Sequence, residues 1–150
     1  MIRPARAIAM AHPRWRFALA AMMATGLTGC AASVETAPDS HATVTVNDVA
    51  VHYDALRCSR AQSYLTVGVD RGPSRWTTVL DVSGASPVAK WTKIRDVAGF
   101  TGDVWQGGVG SAEVVRRADD YVVTGSAYGV YESRPAALGV SAPFRIEAKC

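Results

Sequence analysis

The feature that most narrows what this chain can become is a two-residue alternation of apolar and polar side chains. It begins at Thr43 and recurs, between turn signals, as far as Cys150. A period of two is that of a strand with one buried face. Val44 and Val46 fall on one side of Thr43–Val46, and Asn47-Asp48 then marks a turn. Val49, Val51 and Tyr53 resume the pattern, with His52 on the opposite side. Leu56 with Cys58, and Leu65 with Val67 and Val69, continue it. Arg71-Gly72-Pro73-Ser74 and Ser83-Gly84-Ala85-Ser86-Pro87 flank a β-rich stretch from Trp76 to Val82. The C-terminal stretch is the cleanest: Phe144, Ile146, Ala148 and Cys150 share one face, and Arg145, Glu147 and Lys149 the other.

Two segments read less simply. In Lys90–Val97, Trp91, Ile94 and Val97 fit helical spacing, but the Thr, Trp and Ile content favours a strand, and a strand is the expectation. Arg116–Asp120 reads as the charged loop of a hairpin between Ala112–Val115 and Tyr121–Val130. The fold expected is mainly β, an antiparallel sandwich or strongly curved sheet of about seven or eight strands. At most one short helical turn is expected, at Ser133–Gly139. The alternative is an α+β fold with one helix on an antiparallel sheet.

The first 29 residues have a different character. Arg3, Arg6, Arg14 and Arg16 precede an apolar stretch from Phe17 to Leu27, the layout of a secretory signal. The segment ends Leu27-Thr28-Gly29-Cys30, which resembles the lipobox of bacterial lipoproteins. That resemblance implies cleavage before Cys30, a diacylglyceryl thioether on its sulfur and an acyl group on its new amine. No other cofactor is expected. The organisation is then a signal at 1–29, a lipidated cysteine and flexible tether at 30–42, and one β domain at 43–150.

Composition bears on two questions. The formal charge of +3 suggests a nucleic-acid partner, but four of the 16 basic residues lie in the signal. The rest of the chain has 12 Lys+Arg against 13 Asp+Glu, so no nucleic-acid binding is expected. Three cysteines leave an odd thiol in an exported protein. If Cys30 carries a thioether, Cys58 and Cys150 remain, and export permits a disulfide between them. Both sit on apolar faces, as a buried bridge requires. Two independent buried thiols are the alternative.

The residues that could carry chemistry do not assemble into a motif. Outside the signal there are two histidines, His41 and His52, with no zinc spacing. Gly125-Ser126-Ala127-Tyr128-Gly129 places its serine one position early for a nucleophile elbow. Gly107-Gly108-Val109-Gly110 lacks the G-K-[ST] of a phosphate loop and reads as a tight turn with positive φ. Asp119 and Asp120 are adjacent in a loop and point apart. No enzyme and no metal site are expected. Trp76, Trp91 and Trp105 are the candidates for ligand contact, since an indole can stack on a sugar or lie against an acyl chain. The plainer expectation for such a residue is a core tryptophan with its N–H satisfied.

Several segments together resemble the mycobacterial 19 kDa lipoprotein antigen family. They are LTGC at Cys30, TVTVNDVAV, ALRC, WTTVLDVSGASPVAKWTKI, VAGFTGDVWQGGVGSAEV, the Y-x-x-T-G-x-A-x-G stretch from Tyr121 to Gly129, and the FRIEAKC ending. The resemblance implies a non-enzymatic antigen, lipid-anchored on the extracytoplasmic face of the cell membrane, with an acylated N-terminus sensed by host Toll-like receptor 2. Only Cys30, Cys58 and Cys150 carry over residue by residue. The alternative function is a binding or carrier module for an envelope lipid or glycolipid.

Overall fold

A computed structural model describes residues 34–35, 39–70, 72–134 and 138–150. The signal, Cys30 and most of the proposed tether lie outside the described residues. Among the described residues, eleven antiparallel strands form one sheet: β1 (Val34–Glu35), β2 (His41–Val46), β3 (Val49–Asp54), β4 (Arg57–Ala61), β5 (Tyr64–Val69), β6 (Arg75–Asp81), β7 (Val88–Val97), β8 (Phe100–Trp105), β9 (Ser111–Arg117), β10 (Asp120–Tyr131) and β11 (Val140–Lys149). The curved-sheet expectation holds, and Lys90–Val97 is a strand within β7.

Three details differ from the sequence reading. There are more strands than seven or eight, because β1 is added and the stretch from Phe100 to Arg117 yields two strands. The ordered region begins before Thr43. Ser40 is buried and donates to the Leu56 carbonyl, His41 already pairs with Lys149, and Val34–Glu35 pairs with Ser59 and Cys58. Among the described residues there is no helix; Pro135–Ala137, the centre of the suggested helical turn, lie outside them.

The order across the sheet is β1-β4-β5-β6-β7-β8-β10-β11-β2-β3, with β9 also on β10. β4 to β8 is a meander of sequence neighbours. β2, by contrast, pairs with β11, from Phe144↔Val46 to Lys149↔His41. β10 is long enough to hold two partners on one edge: Tyr128–Tyr131 pair with β8, and Asp120–Ser126 with β9. The Gln106–Gly110 segment is therefore an excursion between two pieces of what is otherwise one strand.

Turns follow local chemistry. Asn47 and Asp48 both have positive φ, as do Ala98 and Gly99, which is the backbone of two-residue hairpin turns whose twist matches the strands. The register slips between Val79 and Leu80 and again between Ile94 and Val97, with Asp96 at φ 51°. Such bulges bend and twist strands, and here they help curl the sheet into a half-barrel.

The concave face holds the core. Val44 and Val46 of β2, Trp76 and Leu80 of β6, Phe100 of β8 and Ile146 of β11 are almost wholly excluded from water. Each such side chain contributes about 1.5–3 kcal/mol by burial. The curl brings strands distant in the order into contact. Tyr53 of β3 meets Trp76 of β6 edge-on at 6.3 Å, and Cys58 of β4 is disulfide-bonded to Cys150 with the Cα atoms 6.0 Å apart. Thr78 and Thr92 are polar side chains buried here, and their hydroxyls bond each other at 2.9 Å.

The Y-x-x-T-G-x-A-x-G stretch has a steric explanation. A Cβ on Gly125 would stand 1.9 Å from the Ser111 carbonyl oxygen, and one on Gly129 would stand 2.0 Å from that of Thr101. The two glycines allow the backbones of β9 and β8 to press against β10.

Burial of Tyr53 raises its phenol pKa above the usual value. Asp96 adds to the rise, and the hydrogen bond shared with Ser74 at 2.6 Å opposes it. A phenol whose pKa is higher folded than unfolded gives stability that is complete below the unfolded value, about 10. That stability is lost as pH rises through the folded one. Tyr53→Phe should lose less stability between about pH 8 and pH 11 than the parent, measured as urea midpoints. Equal losses would contradict the assignment.

Candidate functional site

The three tryptophans do not form one surface. Trp76 is 1% exposed and belongs to the core, where its indole N–H has no partner. That unmet donor costs about 1–3 kcal/mol, offset by the roughly 150–250 Å² that a buried aromatic removes from water. Trp91 and Trp105 face the convex side. They are direct cross-strand partners between β7 and β8. Trp105 is 52% exposed, and the Lys93 ammonium lies 5.2 Å from the Trp91 ring centroid.

The glycine-rich segment that follows is pinned rather than loose. Trp105 N–H donates to the Val109 carbonyl at 2.7 Å, Gly108 N–H to Trp105 at 3.0 Å, and Gln106 N–H to Lys90 at 3.0 Å. Gly107 and Gly110 have φ of 74° and 70°, as a tight turn needs. The loop fixes the Trp105 backbone.

The remaining candidates also have definite places. His52 is exposed, and its Nδ1 lies 2.9 Å from the Thr43 hydroxyl across the β2–β3 pair. Ser126 is in mid-strand, hydrogen-bonded to Ser141 at 2.7 Å, without the sharp turn a nucleophile elbow uses. Asp119 lies in the two-residue β9–β10 turn and Asp120 begins β10. Among the described residues no three His, Cys, Asp or Glu side chains gather as metal ligands.

Surface depressions occur elsewhere. An apolar one of about 190 Å³ lies among Val130, Tyr131, Leu138 and Val140, with Arg134 and Asn47 at its rim. One of about 280 Å³ lies by Arg117, Asp120, Glu147 and Lys149. A third, of about 260 Å³, adjoins the disulfide and gathers Arg60 of β4, Arg116 of β9 and Lys149 of β11. No tryptophan lines these three. The basic trio has no sequence signature, because three separated strands supply it. Only the charged run at Arg116–Asp120 hinted at it.

The architecture defines a small all-β domain closed by one disulfide, the kind of module that depends on an oxidising compartment for its cross-link. The chain belongs to the Mycobacterium 19 kDa lipoprotein antigen family, whose model matches residues 35–150. Over 132 residues it is 36% identical to a protein named "Probable lipoprotein LppE" from Mycobacterium tuberculosis (strain ATCC 25618 / H37Rv), covering 88% of this chain and 93% of the relative. A "Putative lipoprotein" of Mycobacterium avium subsp. hominissuis (strain TH135) is 27% identical over 130 residues, 87% of this chain and 90% of that protein. Another, from Mycobacterium indicus pranii (strain DSM 45239 / MTCC 9506), is 28% identical over 131 residues, 87% and 94% respectively.

Proposed function

We propose that this protein is an extracytoplasmic envelope lipoprotein that displays a rigid, non-enzymatic β domain from a Cys30 carrying diacylglyceryl and N-acyl groups, and that the host reads its acylated N-terminus through Toll-like receptor 2. The observation that carries the reading is Leu27-Thr28-Gly29-Cys30, placed directly behind a signal and shortly before a family domain closed by a disulfide. Membership in a lipoprotein family supports the anchor, and the export route accounts for the oxidised Cys58–Cys150 pair. The test uses receptor-reporter cells. The lipidated protein should activate them, and ester hydrolysis by a lipase should remove the response while the domain stays folded. Activation that survives delipidation would assign recognition to the domain and overturn this part of the reading.

The carrier alternative rests on one observation, the exposed Trp105 beside its cross-strand partner Trp91, since an exposed indole can stack on a sugar. The three depressions are smaller than the roughly 300–1,000 Å³ of ordinary small-molecule sites. They favour display over carriage of a long lipid. A lipid that co-purifies with the native protein at fixed stoichiometry in native mass spectrometry would reverse that preference.

A further inference from the structure

The disulfide end of the half-barrel carries a group of charges that the proposed anchor places in a particular position. Arg60, Arg116 and Lys149 surround the depression of about 260 Å³ beside Cys150, with Leu65 and Tyr121 beneath them and Asp119 as the one acidic side chain in its lining. All three basic residues are exposed. Arg116 is held in place: its Nε donates to the Ala118 carbonyl at 2.9 Å, and its guanidinium carbon lies 5.8 Å from the Tyr121 ring centroid. This gathering stands out because the chain beyond the signal has 12 basic and 13 acidic residues and no basic excess of its own.

The N-terminal end of β1 is at the same end. Val34 pairs with Ser59 and Glu35 with Cys58, antiparallel, so the N-terminal end of β1 lies beside the end of β4 that leads to Arg60. Cys30 is four residues before Val34. Four residues reach at most about 14 Å, so an acylated Cys30 keeps this end of the domain close to the bilayer.

We infer that Arg60, Arg116 and Lys149 form a contact site for the phosphate groups of anionic phospholipids, which docks the disulfide end of the domain on the membrane. The inference rests on lipidation of Cys30. A basic side chain at an anionic surface changes the docking equilibrium by about fivefold, so three can select one orientation from many.

The lipidated protein is reconstituted in vesicles of phosphatidylcholine alone, or with one-third phosphatidylglycerol. A water-soluble amine acetylating reagent is then added, and Lys149 and Lys93 are followed separately by mass spectrometry. Acetylation of Lys149 should slow about fivefold or more on the anionic vesicles, with Lys93 unchanged as the internal control. Raising salt to about 1 M, where the Debye length falls to about 3 Å, should restore the rate. The double variant Arg60→Glu, Arg116→Glu should also restore it, with an unchanged melting temperature to show that the fold persists. Vesicles that carry the protein but give equal Lys149 rates would overturn the docking alone. Protein that fails to float with either vesicle would overturn the anchor, and the docking with it.

Discussion

A Cys30→Ala variant is expected to leave the detergent phase for the aqueous phase on temperature-induced phase separation, and to lose the acyl mass from its N-terminus. The effect should be nearly complete rather than graded. Each buried CH₂ contributes about 0.8 kcal/mol, and stable attachment takes two chains or one chain plus a second signal. One sulfur controls all of that hydrocarbon. The basic trio alone supplies only about 1 kcal/mol per residue at an anionic surface, and nothing comparable toward a neutral detergent. Cys58→Ser serves as the control, since it removes a cysteine without touching the anchor. Retention of Cys30→Ala in the detergent phase with no acyl mass would mean that something other than lipid holds the protein there.

The second large effect is on stability. Breaking the Cys58–Cys150 bond, by reduction or by Cys58→Ser with Cys150→Ser, should cost about 2–4 kcal/mol, with about 4–5 kcal/mol as the chain-entropy ceiling for a loop of this length. The sequence separation is 92 residues, so the cross-link removes much of the freedom of the unfolded chain. The sheet order adds a native-state reason. β4 lies near one edge and β11 far across the sheet, with no backbone ladder between them. Side-chain packing and this one covalent bond close the curl. For a domain of this size the melting temperature should fall by about 10 °C. An unchanged melting temperature in reductant, with both thiols shown to be free, would show that packing alone closes the half-barrel.

What the sequence revealed follows from which features are local. The β11 face pattern of Phe144, Ile146 and Ala148 is visible because alternation needs only near neighbours, and all three are buried as it implies. The β9–β10 hairpin and the turn at Asn47-Asp48 are legible for the same reason. The partners are not. Nothing near Thr43 announces that β2 will lie against β11, and nothing in Phe100–Arg117 announces that it will break into two strands on one edge of β10. The tryptophans show the limit best. Trp76, Trp91 and Trp105 look alike along the chain, yet register sends the first into the core and pairs the other two outside it. Cys58 and Cys150 could be matched by elimination, whereas Arg60, Arg116 and Lys149 could be grouped only once the sheet had curled.

The β2–β11 pair sets a timetable. Among the described residues β2 is the first long strand and β11 the last, so the ladder between them cannot form until both are on the same side of the membrane. On the proposed export route, the polypeptide crosses with its N-terminal half unable to complete its sheet. The β4–β8 meander needs only sequence neighbours, whereas the β2–β11 ladder waits for the last strand. Pairing the first long strand with the last thus makes closure of the sheet the final event of export.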